Sequence, residues 1–192
     1  ARLGLIVAGD ADPAPRSSLG FPFAPAGGAV LLGHTGDGEG FVRFRFRTFP
    51  ADAALFESYL AWDPGAGFGR RGRNRLEVRV APSFAARAGE HGHEVARALL
   101  DEVGLPASEV DLLVASQFPA SFAADLARDL GVPAARVPPV APELVRTHTA
   151  GPIAALEAAS RSGLLARARH ILFVAVGGGI TAGAALYRTS RP

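Results

Sequence analysis

The feature that most constrains this chain is its last apolar pair, Ile171 to Val176 running into Gly177, Gly178 and Gly179 and continuing from Ile180 to Tyr187. An apolar run that enters a glycine turn and leaves it equally apolar predicts two buried strands meeting where backbone approaches something closely. The turn is therefore a candidate site.

The preceding elements alternate in type. Leu3 to Ala8 reads as a short buried strand, followed by a proline- and glycine-bearing loop from Gly9 to Phe21 and a second strand at Ala29 to Leu32. Phe41 to Phe49 alternates, with Phe44 and Phe46 on one face and Arg43, Arg45 and Arg47 on the other, the period of a half-buried strand. Ala53 to Ala61 is expected as a short helix with Asp52 as its N-cap. Trp62 to Arg75 is a loop of interleaved glycine and arginine, and Leu76 to Val80 resumes strand character.

Ser83 to Val103 is a long helix closed by Gly104 and Pro106, Asp111 to Ala115 a buried strand, and Ser121 to Leu130 a helix closed by Gly131 and Pro133. Thr147 or Thr149 is placed to cap a helix through Ile153 to Ser160, with Gly151 and Pro152 in its first turn. This order predicts one α/β domain over residues 1–192, a mixed sheet with helices on its faces and a functional edge at strand ends and helix starts.

Composition narrows the chemistry. The 192 residues, 48% hydrophobic and 20% charged, suit a globular core. With no cysteine they hold no disulfide, thiolate metal site or cysteine nucleophile. The sequence pI of 9.9 suggests an anionic partner, yet the net charge is only +2 and all 20 basic residues are arginine, whose high pKa inflates the pI. Arg2 to Ala8 is too short for a signal-peptide core and no apolar run has membrane-span length, so a cytoplasmic location is expected.

Three segments together, Asp111-Leu-Leu-Val-Ala-Ser116-Gln117, Arg146-Thr147-His148-Thr149-Ala150-Gly151 and Gly177-Gly-Gly-Ile-Thr-Ala-Gly183, resemble the C-terminal half of a ketosynthase III (beta-ketoacyl-[acyl-carrier-protein] synthase III). The family is a thiolase-fold group of acyl-thioester condensing enzymes. The resemblance implies a layered thiolase-like half-domain, no cofactor, and a partner: a thiolase-like N-terminal half on another chain, bearing the nucleophilic cysteine. It further implies an acyl carrier protein or acyl-coenzyme A as acyl source and a hetero-oligomer joined through a large apolar interface.

The family's histidine and asparagine positions carry Ser116 and His148 here. Those two groups polarise the malonyl thioester in decarboxylative condensation, so their replacement favours simple acyl transfer. By the same resemblance the Gly178 amide supplies half of an oxyanion hole. Gln117, Phe118, Pro119, Phe122 and Thr149 then border the substrate, Pro119 standing where the family has an asparagine that contacts pantetheine.

Each residue also has a plainer reading. His148 is a base or donor beside the incoming cysteine, or a histidine that satisfies backbone at a helix entrance. Ser116 lacks a Gly-x-Ser-x-Gly elbow and reads better as a structural or substrate-contact serine than as a nucleophile. Gly177 to Gly179 match neither a Walker loop nor a dinucleotide fingerprint. His91 and His93, two apart on a helix, face different ways and read as a solvated helix start rather than a metal site. Arg70, Arg71, Arg73 and Arg75 form a solvated loop, a grip for the phosphate of a carrier protein or coenzyme, or a nucleic-acid contact without a stacking platform.

Two function classes follow from the resemblance: a subunit of an acyl-transferring or condensing enzyme, and a non-catalytic half that completes the fold or docks a carrier protein.

Overall fold

The computed structural model describes residues 3–12, 18–36, 38–61 and 75–190, and the backbone but not the side chains of residues 61 and 75. Arg70, Arg71 and Arg73 lie outside the described residues; Arg75 is described only as the first position of a strand.

The centre is a four-stranded mixed sheet. Strands β1 (Leu3–Asp10) and β2 (Ala26–Gly33) form a separate antiparallel hairpin, with Leu3 opposite Gly33 and Asp10 opposite Ala26. The main sheet contains β3 (Gly40–Thr48), then, after the hairpin β4 (Phe56–Ala61) and β5 (Arg75–Val80), β6 (Leu112–Ala115), β7 (His170–Gly177) and β8 (Thr181–Arg188). Its order is β3-β8-β7-β6, antiparallel except for the β6–β7 pair. The parallel β6–β7 pair leaves Ala115 beside Val174, so the loop after β6 and the glycine turn after β7 emerge at the same sheet edge.

The two sheet faces are covered unequally. Leu113, Ala115, Leu172, Val174, Val176, Ala182, Ala184 and Leu186 pack beneath α1 (Phe84–Val103) and α2 (Phe122–Leu130) in the larger core. On the other face α3 (Gly151–Arg161) and the short α4 (Leu164–Arg167) cover only the β6 side, where Ala155, Ala159 and Ala168 meet Leu112, Val114 and Ile171. Toward β3 that face is open, and Phe46 is 71% exposed.

Both helical ends that the sequence marks with glycine behave so. Gly104 and Gly131 adopt left-handed backbone and close α1 and α2 by donating to carbonyls of the last turn. Among the described residues no helix is long and apolar enough to cross a membrane.

Several expectations need correction. Ala53 to Ala61 is not a helix: Pro50–Leu55 is a 3-10 turn and Phe56–Ala61 pairs with Arg75–Val80, cross-strand pairing outweighing the local alanine preference. Asp52 consequently caps nothing. It accepts from the Arg87 guanidinium at 2.8 and 3.1 Å and lies 2.6 Å from His91 Nε2. His91 is not solvated either, being 6% exposed and stacked on Phe49 at 3.5 Å between ring centroids.

The strand β1 is formed as expected but is not buried, with Leu5 65% and Val7 70% exposed. In β3 the alternation holds, yet the arginines occupy the helix-covered side. Arg43 and Arg45 pair with Glu102, and Arg47 pairs with Glu94, leaving Phe44 and Phe46 on the open face.

Candidate functional site

The open face becomes a groove of about 480 Å³ beside the start of α3. Its floor is β7 and β8 backbone with Val114, Phe173 and Ala185. Ser116, His148 and Thr149 stand at one end, Gly177 and Thr181 at the glycine turn, and Phe44 and Phe46 along the far side. Sheet topology makes this convergence: the end of β6 delivers Ser116, the entrance of α3 delivers His148, and the β7–β8 turn delivers Gly177.

His148 is half-buried, its ring tilted against Phe23 at 4.6 Å between centroids. Burial pushes its imidazole below the ordinary value, and the nearby Asp10 carboxylate only partly opposes this. The imidazole is consequently neutral at neutral pH, the form able to accept a proton. Its main chain is held by a residue the sequence reading missed. The side chain of Asp10, 6% exposed at the end of β1, accepts from the backbone amides of His148, Thr149 and Ala150 at 2.8, 2.9 and 3.0 Å. Burial alone would raise the Asp10 carboxyl; the Thr149 hydroxyl and the three amides together hold it below the usual aspartate range.

Neither threonine caps α3 in the manner expected. Thr147 donates to the Leu144 carbonyl and Thr149 to Asp10, while the N-cap position is Ala150, which has no capping atom. Asp10, from a distant strand, instead binds the three amides that lead into the helix. The available signal was a lone acidic residue closing an apolar strand, Leu5-Ile-Val-Ala-Gly-Asp10.

Ser116 is buried, and its Oγ accepts from the Val176 amide at 3.1 Å, tying the end of β6 to β7. Gln117 is buried too; its side-chain amide donates to the Ala115 carbonyl at 2.9 Å and its main-chain carbonyl accepts from the Arg146 main-chain amide. Phe118 leads into a cis peptide with Pro119, and its ring joins Phe23, Phe56 and Phe84 at centroid distances of 5.1, 6.4 and 6.0 Å. Phe122 points into the core against Gly92 and does not border the groove.

Gly178 lies beneath the Phe56 ring: a Cβ there would come within 2.5 Å of Phe56 Cδ1, so only glycine fits. The arrangement therefore brings Ser116, His148, Thr149 and the glycine turn together, and leaves Gln117 and Phe122 to packing.

Residues 100–189, which contain the Ser116 strand end, the His148 loop and the glycine turn, match the family described as 3-oxoacyl-[acyl-carrier-protein (ACP)] synthase III C terminal. This part of the chain resembles a synthase III C-terminal domain. A beta-ketoacyl-[acyl-carrier-protein] synthase III from Erythrobacter litoralis is 33% identical over 95 residues, which is 50% of this chain and 30% of that protein.

The whole described architecture has the thiolase-like synthase III fold. The 3-oxoacyl-(acyl carrier protein) synthase III from Pseudomonas aeruginosa superposes with a TM-score of 0.81 at 23% identity, covering 99% of this chain and 60% of that one. The priming beta-ketosynthase from the R1128 polyketide biosynthetic pathway gives 0.72 at 23% identity, covering 100% and 59%. The chain thus spans about three fifths of the solved synthases it matches, and the family match lies in its C-terminal half.

Proposed function

We propose that this chain is the C-terminal subunit of a divergent ketosynthase III-like protein that transfers acyl groups between thioesters and acceptors in fatty-acid or polyketide-type biosynthesis. The nucleophilic cysteine comes from a complementary thiolase-like half on a partner chain. The observation that carries this reading is the groove, which sets His148 and the glycine turn on a sheet face whose β3 side no helix covers among the described residues.

In this reading the partner's cysteine thiolate attacks the carbonyl of an acyl-carrier or acyl-coenzyme thioester. The tetrahedral oxyanion is stabilised by the Gly178 amide and an amide of the cysteine-bearing half, and collapse expels the carrier thiolate, which takes a proton from solvent. His148, neutral, then removes a proton from an acceptor hydroxyl or amine as that atom attacks the acyl-cysteine. Collapse releases the cysteine thiolate, and the imidazolium returns its proton to solvent. Ser116 contributes geometry rather than a nucleophile, because its Oγ already accepts from the Val176 amide. Carrier-protein or phosphate contact through Arg70, Arg71, Arg73 and Arg75 remains part of the proposal.

A second reading, a non-catalytic half that completes the fold or docks a carrier protein, draws on the commitment of Gln117 and Phe118 to internal packing. Mutation separates the two. In the reconstituted complex His148→Ala lowers acyl transfer by ~100-fold or more if the imidazole is the base, and leaves it unchanged if the subunit is structural. Purification of the native protein tests the architecture: a defined complex with a cysteine-bearing thiolase-like chain supports it. A cysteine-bearing half found within the same polypeptide would replace the partner chain with an intramolecular one.

A further inference from the structure

The loop that leads into α3 is held by an unusual acceptor. Four amides at a helix start have no intrahelical partner, and the position that would cap them here is an alanine. Pro152 in that turn has no amide and the Gly151 amide donates to the His148 carbonyl, while the amides of His148, Thr149 and Ala150, just ahead of the helix, point elsewhere. All three donate to one carboxylate 138 to 140 residues away in sequence, and the Thr149 hydroxyl reaches the same group and the Gly9 carbonyl.

A carboxylate holding three converging amides fixes the φ and ψ of the loop it spans far more tightly than one side-chain cap, because the donors cannot rotate away independently. The loop so fixed carries His148 at its first position. No side-chain hydrogen bond holds the His148 ring among the described residues; its placement comes from Phe23 on one side and this backbone clamp on the other.

We infer that Asp10 is a positioning residue for His148, clamping the backbone at the start of α3 so that the imidazole stays at the groove and couples the β1–β2 hairpin to the site. The role deepens the acyl-transfer reading and rests on it where activity is concerned. The clamp itself is tested without activity.

The experiment begins on the unmutated chain by amide proton NMR. As acid is added, the His148, Thr149 and Ala150 amide signals shift together with one common midpoint below the ordinary aspartate range; three unrelated midpoints, or none, overturn the clamp. Asp10→Asn removes one acceptor oxygen and sets an amide donor against backbone donors. Hydrogen exchange at the three amides then accelerates at least about 10-fold while α1 amides keep their protection. Unchanged exchange overturns the inference, and a variant too unstable to study leaves the acid titration as the deciding measurement.

In the reconstituted complex Asp10→Asn lowers kcat by about 10-fold or more with KM little changed, since a displaced base loses rate rather than binding. Loss of activity in His148→Ala with none in Asp10→Asn overturns the positioning role. Full activity in both overturns the base reading and this role with it, and the amide titration distinguishes that failure from an absent clamp.

Discussion

Ser116 stands where the resemblance places a catalytic histidine, but its oxygen is engaged by the Val176 amide inside the core edge. Removing it strands a buried backbone donor. Ser116→Ala is therefore expected to lower stability by about 1–3 kcal/mol, the penalty for an unpaired buried amide, with little effect on a His148-dependent rate. Thermal unfolding reads the first, as a drop of several degrees at roughly 2–4 °C per kcal/mol for a chain of this size, and acyl transfer reads the second. A tenfold rate loss at unchanged stability would return Ser116 to the chemistry.

His148 makes a pH prediction whose sign is fixed by burial. Its folded pKa lies below the unfolded value, so the neutral form is favoured by folding. Stability from this group is present above the ordinary histidine pKa near 6.5 and is lost as pH falls through it toward the folded value. A transfer rate that depends on neutral His148 falls on the acid side with a midpoint below that ordinary value, and His148→Gln removes this limb of the profile. A midpoint at or above 6.5 would contradict the burial argument.

At the scale of elements, the α1–α2 contact sets the height of the helical layer over the sheet. Gly92 permits it: a Cβ there would lie 2.8 Å from Phe122 Cζ and 3.3 Å from Val176 Cγ2, both buried. Gly92→Ala gains about 0.5–1 kcal/mol of helix propensity but forces the Phe122 ring out of place, an overpacking cost of about 1–3 kcal/mol. The expected net result is destabilisation by about 1 kcal/mol, read as a lower denaturation midpoint with unchanged m-value. A stabilised variant would mean that Phe122 yields freely.

The same elements show where sequence was informative. Period-two alternation, the Gly104 and Gly131 stops and the apolar β6, β7 and β8 runs each encode structure locally, so those elements were legible. Phe56 to Ala61 was not, because its strand state depends on partners from Arg75 to Val80, across an intervening loop. His91 was misread for the same reason. Its burial depends on Phe49 and Asp52 arriving from the far end of β3. In the site, Ser116, His148 and the glycine turn were legible as a motif set, whereas Asp10 and Phe23 reach His148 only through the fold.

At the scale of the molecule, apolar residues cluster on two surfaces that the described residues leave open. The β1–β2 hairpin exposes Leu5 and Val7, and the β3 side of the main sheet exposes Phe44 and Phe46 along the groove. Contiguous apolar area of this kind marks an interaction surface, and a complementary thiolase-like half is the partner proposed for it. Burying one such side chain contributes about 1.5–3 kcal/mol, and burying a carboxylate in its place without a counter-charge costs more. Val7→Glu and Phe46→Glu each alter an already solvated position, so the chain's own stability should change by less than ~1 kcal/mol. Association with the cysteine-bearing half should weaken by at least about 100-fold in the double variant, since two lost burials exceed about 3 kcal/mol. Titration of the purified partner into each variant, beside a thermal melt of the chain alone, separates interface loss from unfolding. Undiminished association in the double variant would place the contact elsewhere, and the open sheet face would no longer support the assembly.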